Sequence, residues 1–338
     1  MNKQKFFVLL LVLAIIAGLS SVYAGGDKEG SGSSGGPYAP SKDMLFVCGG
    51  GVGGGQDTFI RMVMQTLNTS GAYPGPIAHQ NWTGGGGLVC IQRVNETMTG
   101  RDDILESGSG AITPIEVGNN TKLRQTDLTG VARLVLETMA VVVSPKNTEI
   151  DSLDTFLAKL KSDPASINFG GNLPPGEDYL TLVVICNTLG VDYRKCNYVY
   201  YDGSGEVLPA LLGGHIDVSF SGTAEWSGPI QAGQVKCIAV AGDNRVGGLY
   251  KDVPTFKEKG VDFVWQNWRG LLGPREMPKE ALEFWRETLK KLTDSKEWKD
   301  MCERMLYESG FMTDGFQEFI MDYEKKCENA LKIAGLIQ

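Results

Sequence analysis

The chain has 338 residues, 42% of them hydrophobic and 21% charged, with a formal net charge of −8. That composition describes a soluble globular protein and offers no basic face for nucleic acid. The 7 cysteines are an odd number, so at least one stays free or pairs between chains, and 2 histidines far apart in the chain argue against a His-based metal or triad site.

Lys3 and Lys5 precede the apolar stretch FFVLLLVLAIIAGL, and VYA ending at Ala24 has the small-x-small form of a cleavage site. Residues 1–24 therefore read as a secretory signal peptide, and the mature protein as exported to the periplasm or extracytoplasmic space. The cleavage point has no Cys to carry a lipid, and no later stretch approaches the roughly eighteen apolar residues of a membrane span. Residues 25–42, rich in Gly and Ser, read as a flexible tether, and the G-x-S-x-G match around Ser34 lacks the strand-turn-helix setting a hydrolase needs. Residues 43–338 remain, enough for two domains of ordinary size.

The first of these elements is LFVCGGGVGGGQDTFIRMVMQTL, from Leu45: an apolar strand, a glycine loop, and a helix with Ile60, Val63, Met64 and Leu67 on one face. Gly49, Gly51 and Gly54 meet the spacing G-x-G-x-x-G, but a dinucleotide site also wants an acid at the end of the second strand, where IAHQNW ends in Asn81 and Trp82. A phosphate loop wants Lys followed by Ser or Thr where this chain has Gln56 and Asp57. What remains is a small-anion site on a helix N-terminus, or a tight turn whose Asp57 only caps its helix. A helix from about Gly86 through Met98 repeats the choice, with Gly84 to Gly87 as anion contact or turn.

Strand and helix then alternate, the pattern of mainly parallel sheets. DDILESGSG and TGVARLVLETMAVVVSP close a first unit at Pro145, and IDSLDTFLAKL opens a second with Ser152 as N-cap. The second unit runs through SINFGG, YLTLVVICNTLG, NYVYY, EVLPALLGG, IDVSFSG and VKCIAVAG, after which the chain rejoins the first. The expected domains are 43–145 plus 246–338, and 146–245. Cys186 with Cys196 and Cys302 with Cys327 are candidate local bridges, with isolated buried thiols as the alternative. Strands of open α/β sheets hold ligands at their carboxyl ends, so two such domains would face each other across a cleft.

Five blocks carry a resemblance. GGGVGGGQDTFIR, NWTGGGG, YYDGSGEVLPALLGGHIDVSFSG, RVGGLYKDVPTFKEKG and WRGLLGP resemble, in order, motifs of the substrate-binding proteins of tripartite tricarboxylate transporters, the Bug receptors. The resemblance implies an α/β, two-domain periplasmic-binding-protein fold of type II-like form. It implies a monomer without cofactor or catalytic residues that hands a small organic carboxylate or amino acid to membrane permease subunits. It also implies that the carboxylate is held by backbone N–H groups and water from two loops, with little help from Arg or Lys. Two segments depart from the motifs: PPGED stands where small residues are usual, and GRDDILESG replaces P-D-G-Y-T-L.

The expected walls are Gly53, Gly54, Gly55, Gln56, Asp57 and Thr58 with Gly85 and Gly86 on one side, and Gly171, Gly176, Glu177, Asp178, Tyr201, Gly203, Ser204, Ser221 and Thr223 on the other. Against this, Asp217 reads as a turn residue, and Tyr201 and Trp268 as core aromatics. Glu177 and Asp178 either compensate their own helix dipole or face the cleft; in the cleft they would disfavour citrate-like anions and admit a monocarboxylate or a zwitterion. The other readings are a receptor that presents its ligand to a sensor, which would have the same sequence, and an exported hydrolase, for which no His stands near a plausible Ser.

Overall fold

The first strand, β1 (Met44–Cys48), is buried at every position but Leu45, as a parallel strand covered on both faces must be. The computed structural model describes residues 38–40, 42–172, 174–201 and 204–338; the expected signal peptide, most of the tether, and Gly203 lie outside the described residues.

Helix α1 (Gly55–Thr69) buries Phe59, Ile60, Met62, Val63 and Leu67. They share a cluster with Trp285 and Leu289 of α8 (Lys279–Asp294) and Trp298 of α9 (Lys296–Met305). β1 pairs in parallel with β2 (Ile77–Asn81) and β3 (Ile104–Ser109), with α2 (Leu88–Thr97) between them in the chain. A second parallel group joins β5 (Asn168–Asn172) to β6 (Asn197–Tyr201) and β7 (Val218–Gly222). Its connections are α5 (Glu177–Thr188) and α6 (Ser204–Leu212). Ahead of β5 lies α4 (Leu153–Ser162), where the Ser152 hydroxyl caps the helix by accepting from the Thr155 N–H at 3.2 Å.

Two strands link the groups. β4 (Thr129–Val143) pairs antiparallel with β9 (Gln266–Gly273) along its first part, then with β7 and β8 (Lys236–Val240) along its second. β9 in turn pairs antiparallel with β3, and β10 (Glu308–Met312) flanks β4. The path through the described strands is β2-β1-β3-β9-β4-β7-β5-β6. Each half is thus parallel at its outer strands and antiparallel where β4 and β9 enter, a mixed sheet where mainly parallel ones were expected. A buried apolar run looks the same in either direction, so the sequence pattern could not supply that detail.

The returning chain packs on both halves. Phe256, Phe263 and Trp265 share a cluster with Phe156, Phe169 and Phe220. Helix α10 (Phe316–Ile333) buries Phe316, Ile320 and Tyr323 against Trp268, and Ala330 and Leu331 against the cluster of β5 and α5. All seven cysteines are unbridged. Cys302 and Cys327 lie in different clusters, which excludes the second candidate bridge, while the Cys186 and Cys196 sulfurs lie 3.7 Å apart as thiols.

Two acids are enclosed in this core. Burial pushes Glu106 of β3 up to about 8, and Glu116 of α3 (Thr113–Gly118) up to about 8, from an ordinary 4.5. A proton held by the folded chain and released by the unfolded one stabilises the fold at low pH. The contribution is whole below about 4.5 and is lost as pH climbs to about 8. Melting followed by circular dichroism should therefore show Tm falling from about pH 5.5 to about pH 8.5, and Glu106→Gln should flatten that slope.

Candidate functional site

The loop between β1 and α1 is built against backbone. A Cβ at Gly49 would stand 2.6 Å from the Gly87 Cα, so the two glycine loops pack main chain to main chain. A Cβ at Gly55 would meet the Arg269 guanidinium at 2.9 Å. The helix opens with glycine at the cap position and no side-chain cap, which turns its first N–H groups toward solvent or ligand.

Asp57 points the other way. Its Oδ2 accepts from the Gly53 N–H and from Arg61 Nε, each at 2.9 Å, and its Oδ1 accepts from Asn81 Nδ2 at 2.9 Å and lies 2.8 Å from His79 Nε2. Burial alone would raise this carboxyl; the bonds from Arg61, Gly53, His79 and Asn81 outweigh it and hold the group well below the ordinary carboxylate range. Cys48, Asp57 and His79 bring a thiol, a carboxylate and an imidazole within 4.8 Å of one another, a grouping that the spacing of the histidines in the sequence did not suggest. The Asn81 amide nitrogen sits among them, 3.2 Å from Cys48 Sγ and 2.9 Å from the Gly50 carbonyl, so its N–H groups meet the acceptors that a metal would need. The cluster is an internal tie between β1, β2 and α1.

Beyond the loop is a cavity of about 890 Å³. Gly53, Gly54, Gly55, Gln56 and Thr58 line it with Gly85 and Gly86, and Gly176, Glu177, Asp178, Tyr201 and Ser221 also line it. Asp57, Gly171 and Thr223 are absent from the lining: Asp57 is turned inward, Gly171 lies under the Tyr198 hydroxyl and Asp178, and the buried Thr223 gives its carbonyl to Tyr250. α6 begins at Ser204, whose side chain is outside the described set, as is Gly203. Trp268 is a core residue, stacked edge-on against Phe316. Asp217 accepts from the Asn168 N–H at 2.9 Å, as a turn residue does.

Sequence reasoning missed the floor. Glu137 of β4 and Arg269 of β9 both line the cavity, with the guanidinium giving Nη2–H at 2.6 Å and Nε–H at 3.1 Å to one carboxylate oxygen, Oε2. A cation therefore lines the cavity, with both of its recorded bonds given to Glu137. The signal available was an Arg inside WRGLLGP, an otherwise apolar strand where an unpaired charge could not stay buried.

The opposite wall is acidic. Glu177 accepts from Trp265 Nε1 at 3.1 Å and from the Tyr323 hydroxyl at 3.3 Å, and burial, with Glu137 adding, pushes it up to about 7. Burial also raises Asp178, with Glu225 and Glu177 adding, although its Oδ2 accepts from the Asn172 N–H at 2.9 Å. Glu225, in the first turn of α7 (Thr223–Gln231), accepts from the Ser221 hydroxyl.

A model of the tripartite tricarboxylate transporter family receptor matches residues 61–336. The chain belongs to that family. Among curated proteins, the receptor is 25% identical to protein BugT of Bordetella pertussis over 70% of this chain and 72% of that one. It is 23% identical to a Cupriavidus necator protein of the gbd 5′ region over 88% and 89% of the two chains. Among solved structures, MatC from Rhodopseudomonas palustris with bound malate superposes with TM-score 0.72 at 20% identity, covering 87% of this chain and all of that one. An R. palustris protein with adipate superposes with TM-score 0.74 at 19% identity, covering 88% and 99% of the two chains. The receptor thus has the α/β fold of periplasmic binding proteins. Family members are periplasmic substrate-binding receptors.

The Asp57 tie gives a stability test. Asp57→Ala strips four donors of one buried acceptor and should destabilise the receptor by about 3–5 kcal/mol, read in urea as a lower midpoint at unchanged slope.

Proposed function

We propose that the receptor, once exported through its N-terminal segment, captures a small carboxylate-bearing solute in the 890 Å³ cavity and delivers it to the permease subunits of a tripartite transporter, catalysing nothing. The observation that carries this reading is the uncapped start of α1, where the N–H groups of Gly55, Gln56 and Asp57 are left without a backbone or side-chain acceptor among the described residues, at a loop that lines an enclosed space beside the Gly85 to Gly86 turn. Relatives of the same fold solved with malate and with adipate support a carboxylate as the common feature. The cavity's hydroxyls support binding over hydrolysis, since Ser109 faces Asn267 at 3.3 Å and Ser221 faces Glu225.

Capture would proceed by closure. Segments 43–145 plus 246–338 would move as one body and 146–245 as the other, with β4, which crosses between them, as the hinge element.

Ligand that binds the folded chain alone stabilises it by mass action. A solute at one hundred times its dissociation constant should add about 2.7 kcal/mol, several degrees of Tm for a chain of this size. A thermal-shift screen of mono-, di- and tricarboxylates and amino acids checks it. Silence across the whole screen, together with turnover of an ester, would overturn the reading.

A further inference from the structure

This inference rests on the receptor reading and concerns the chemistry of its ligand. β5 and β7 are parallel neighbours in register at Phe169 with Val218 and Gly170 with Ser219, so their carboxyl ends leave the sheet side by side. α5 and α7 start there, and each carries acid in its first turn: Glu177 and Asp178 on one, Glu225 on the other. Two adjacent helix N-termini would ordinarily draw an anion. Here neither start has a side-chain cap, and the first-turn acids line the cavity beside the helix N–H groups.

Three further observations set the balance of charge. On the facing wall, the only acid of the Gly53 to Thr58 turn is Asp57, which is 2% exposed and occupied by Arg61, His79, Asn81 and the Gly53 N–H. Arg269 is the only cation on the described lining, and it gives two of its N–H groups to Glu137. Asp178 is 5% exposed and lines the cavity, yet only its Oδ2 has a donor; its Oδ1 has none among the described residues. A second carboxylate on the ligand would meet three carboxyl groups with no free cation beside them. An ammonium would bring three N–H donors to oxygens that have room for them.

We propose that the α5–α7 wall is an ammonium subsite, with Asp178 and Glu225 as the acceptors and Glu177 behind them, so that the ligand is a zwitterion whose carboxylate rests on the Gly53 to Thr58 turn. The cavity sorts solutes by the charge of their second group.

Titration calorimetry of the mature chain, residues 25–338, tests this with pairs that differ only in ammonium for carboxylate: β-alanine with succinate, isoserine with malate, δ-aminovalerate with adipate. In each pair that binds, the aminated member should be tighter by about tenfold or more, the size of one charge-assisted contact. Asp178→Asn and Glu225→Gln should each shrink that preference, and Asp262→Asn, at a side chain 95% exposed, should leave it intact. Dicarboxylates binding as tightly as their aminated partners in the unmutated receptor would overturn the subsite without any variant, as would a preference unchanged in both. Binding by neither member of any pair, nor by any α-amino acid, would overturn the subsite, while the receptor reading falls only with silence across the wider carboxylate screen.

Discussion

The antiparallel ladder between β4 and β9 is the constraint on which the rest of the structure hangs. The parallel strands of one half attach through β3 to β9, and those of the other through β7 to β4. The ladder also carries the Glu137–Arg269 pair, with both members buried at the cavity floor. Neither charge could stay there alone, because desolvation of a lone ion costs several kcal/mol. Both of the recorded guanidinium bonds end on one oxygen of Glu137, so the pair ties Gln266–Gly273 to Thr129–Val143 at the cavity floor, beside the ladder's own backbone bonds.

A second acid does for the first wall what Glu137 does for the floor. Asp57 lies in the first turn of α1 and could have faced the cavity; the bonds from His79 and Asn81, both on β2, draw it inward. Its bond to the Gly53 N–H holds the glycine turn in shape from behind. The turn can then be all backbone on its ligand side, since the side chain that orders it is on the other. Division of labour between an inward carboxylate and outward N–H groups explains why a glycine-rich segment, entropically expensive to fix, is positioned at all.

Local chemistry was legible in the sequence, and pairing was not. Ser152 as a cap, the apolar face of α1, and the strands IAHQN, NYVYY and VSFSG follow from periodicity and turn residues a few positions apart. Glu137 and Arg269 stand 132 positions apart, and nothing near either says that it meets the other. His79 read as isolated because its partners come to it from other elements, Asp57 from α1 and Phe46 from β1, 22 and 33 positions away. The block GGGVGGGQDTFIR marked the right loop, yet a motif gives no side-chain direction, and so Asp57 was placed on the wall it supports from behind. Glu177 and Asp178 stood out because they broke a pattern of small residues, while Glu225, which lines the same cavity, stands three residues beyond the block that ends at Gly222 and gave no such signal.

Those three acids show how ligand chemistry can change while the backbone does not. A carboxylate in the first turn compensates its own helix dipole for about 0.3–1 kcal/mol and by that alone would be a surface convenience. Placed on α5 and α7 at the carboxyl ends of β5 and β7, the same acids oppose the positive field that an anionic ligand would seek and set acceptors beside it. The energetic cost is visible in the burial that raises Glu177 and Asp178, a cost that a bound cation offsets and a bound anion increases. Fold likeness says nothing of such a wall, because its chemistry is side chain, whereas that of the glycine wall is backbone.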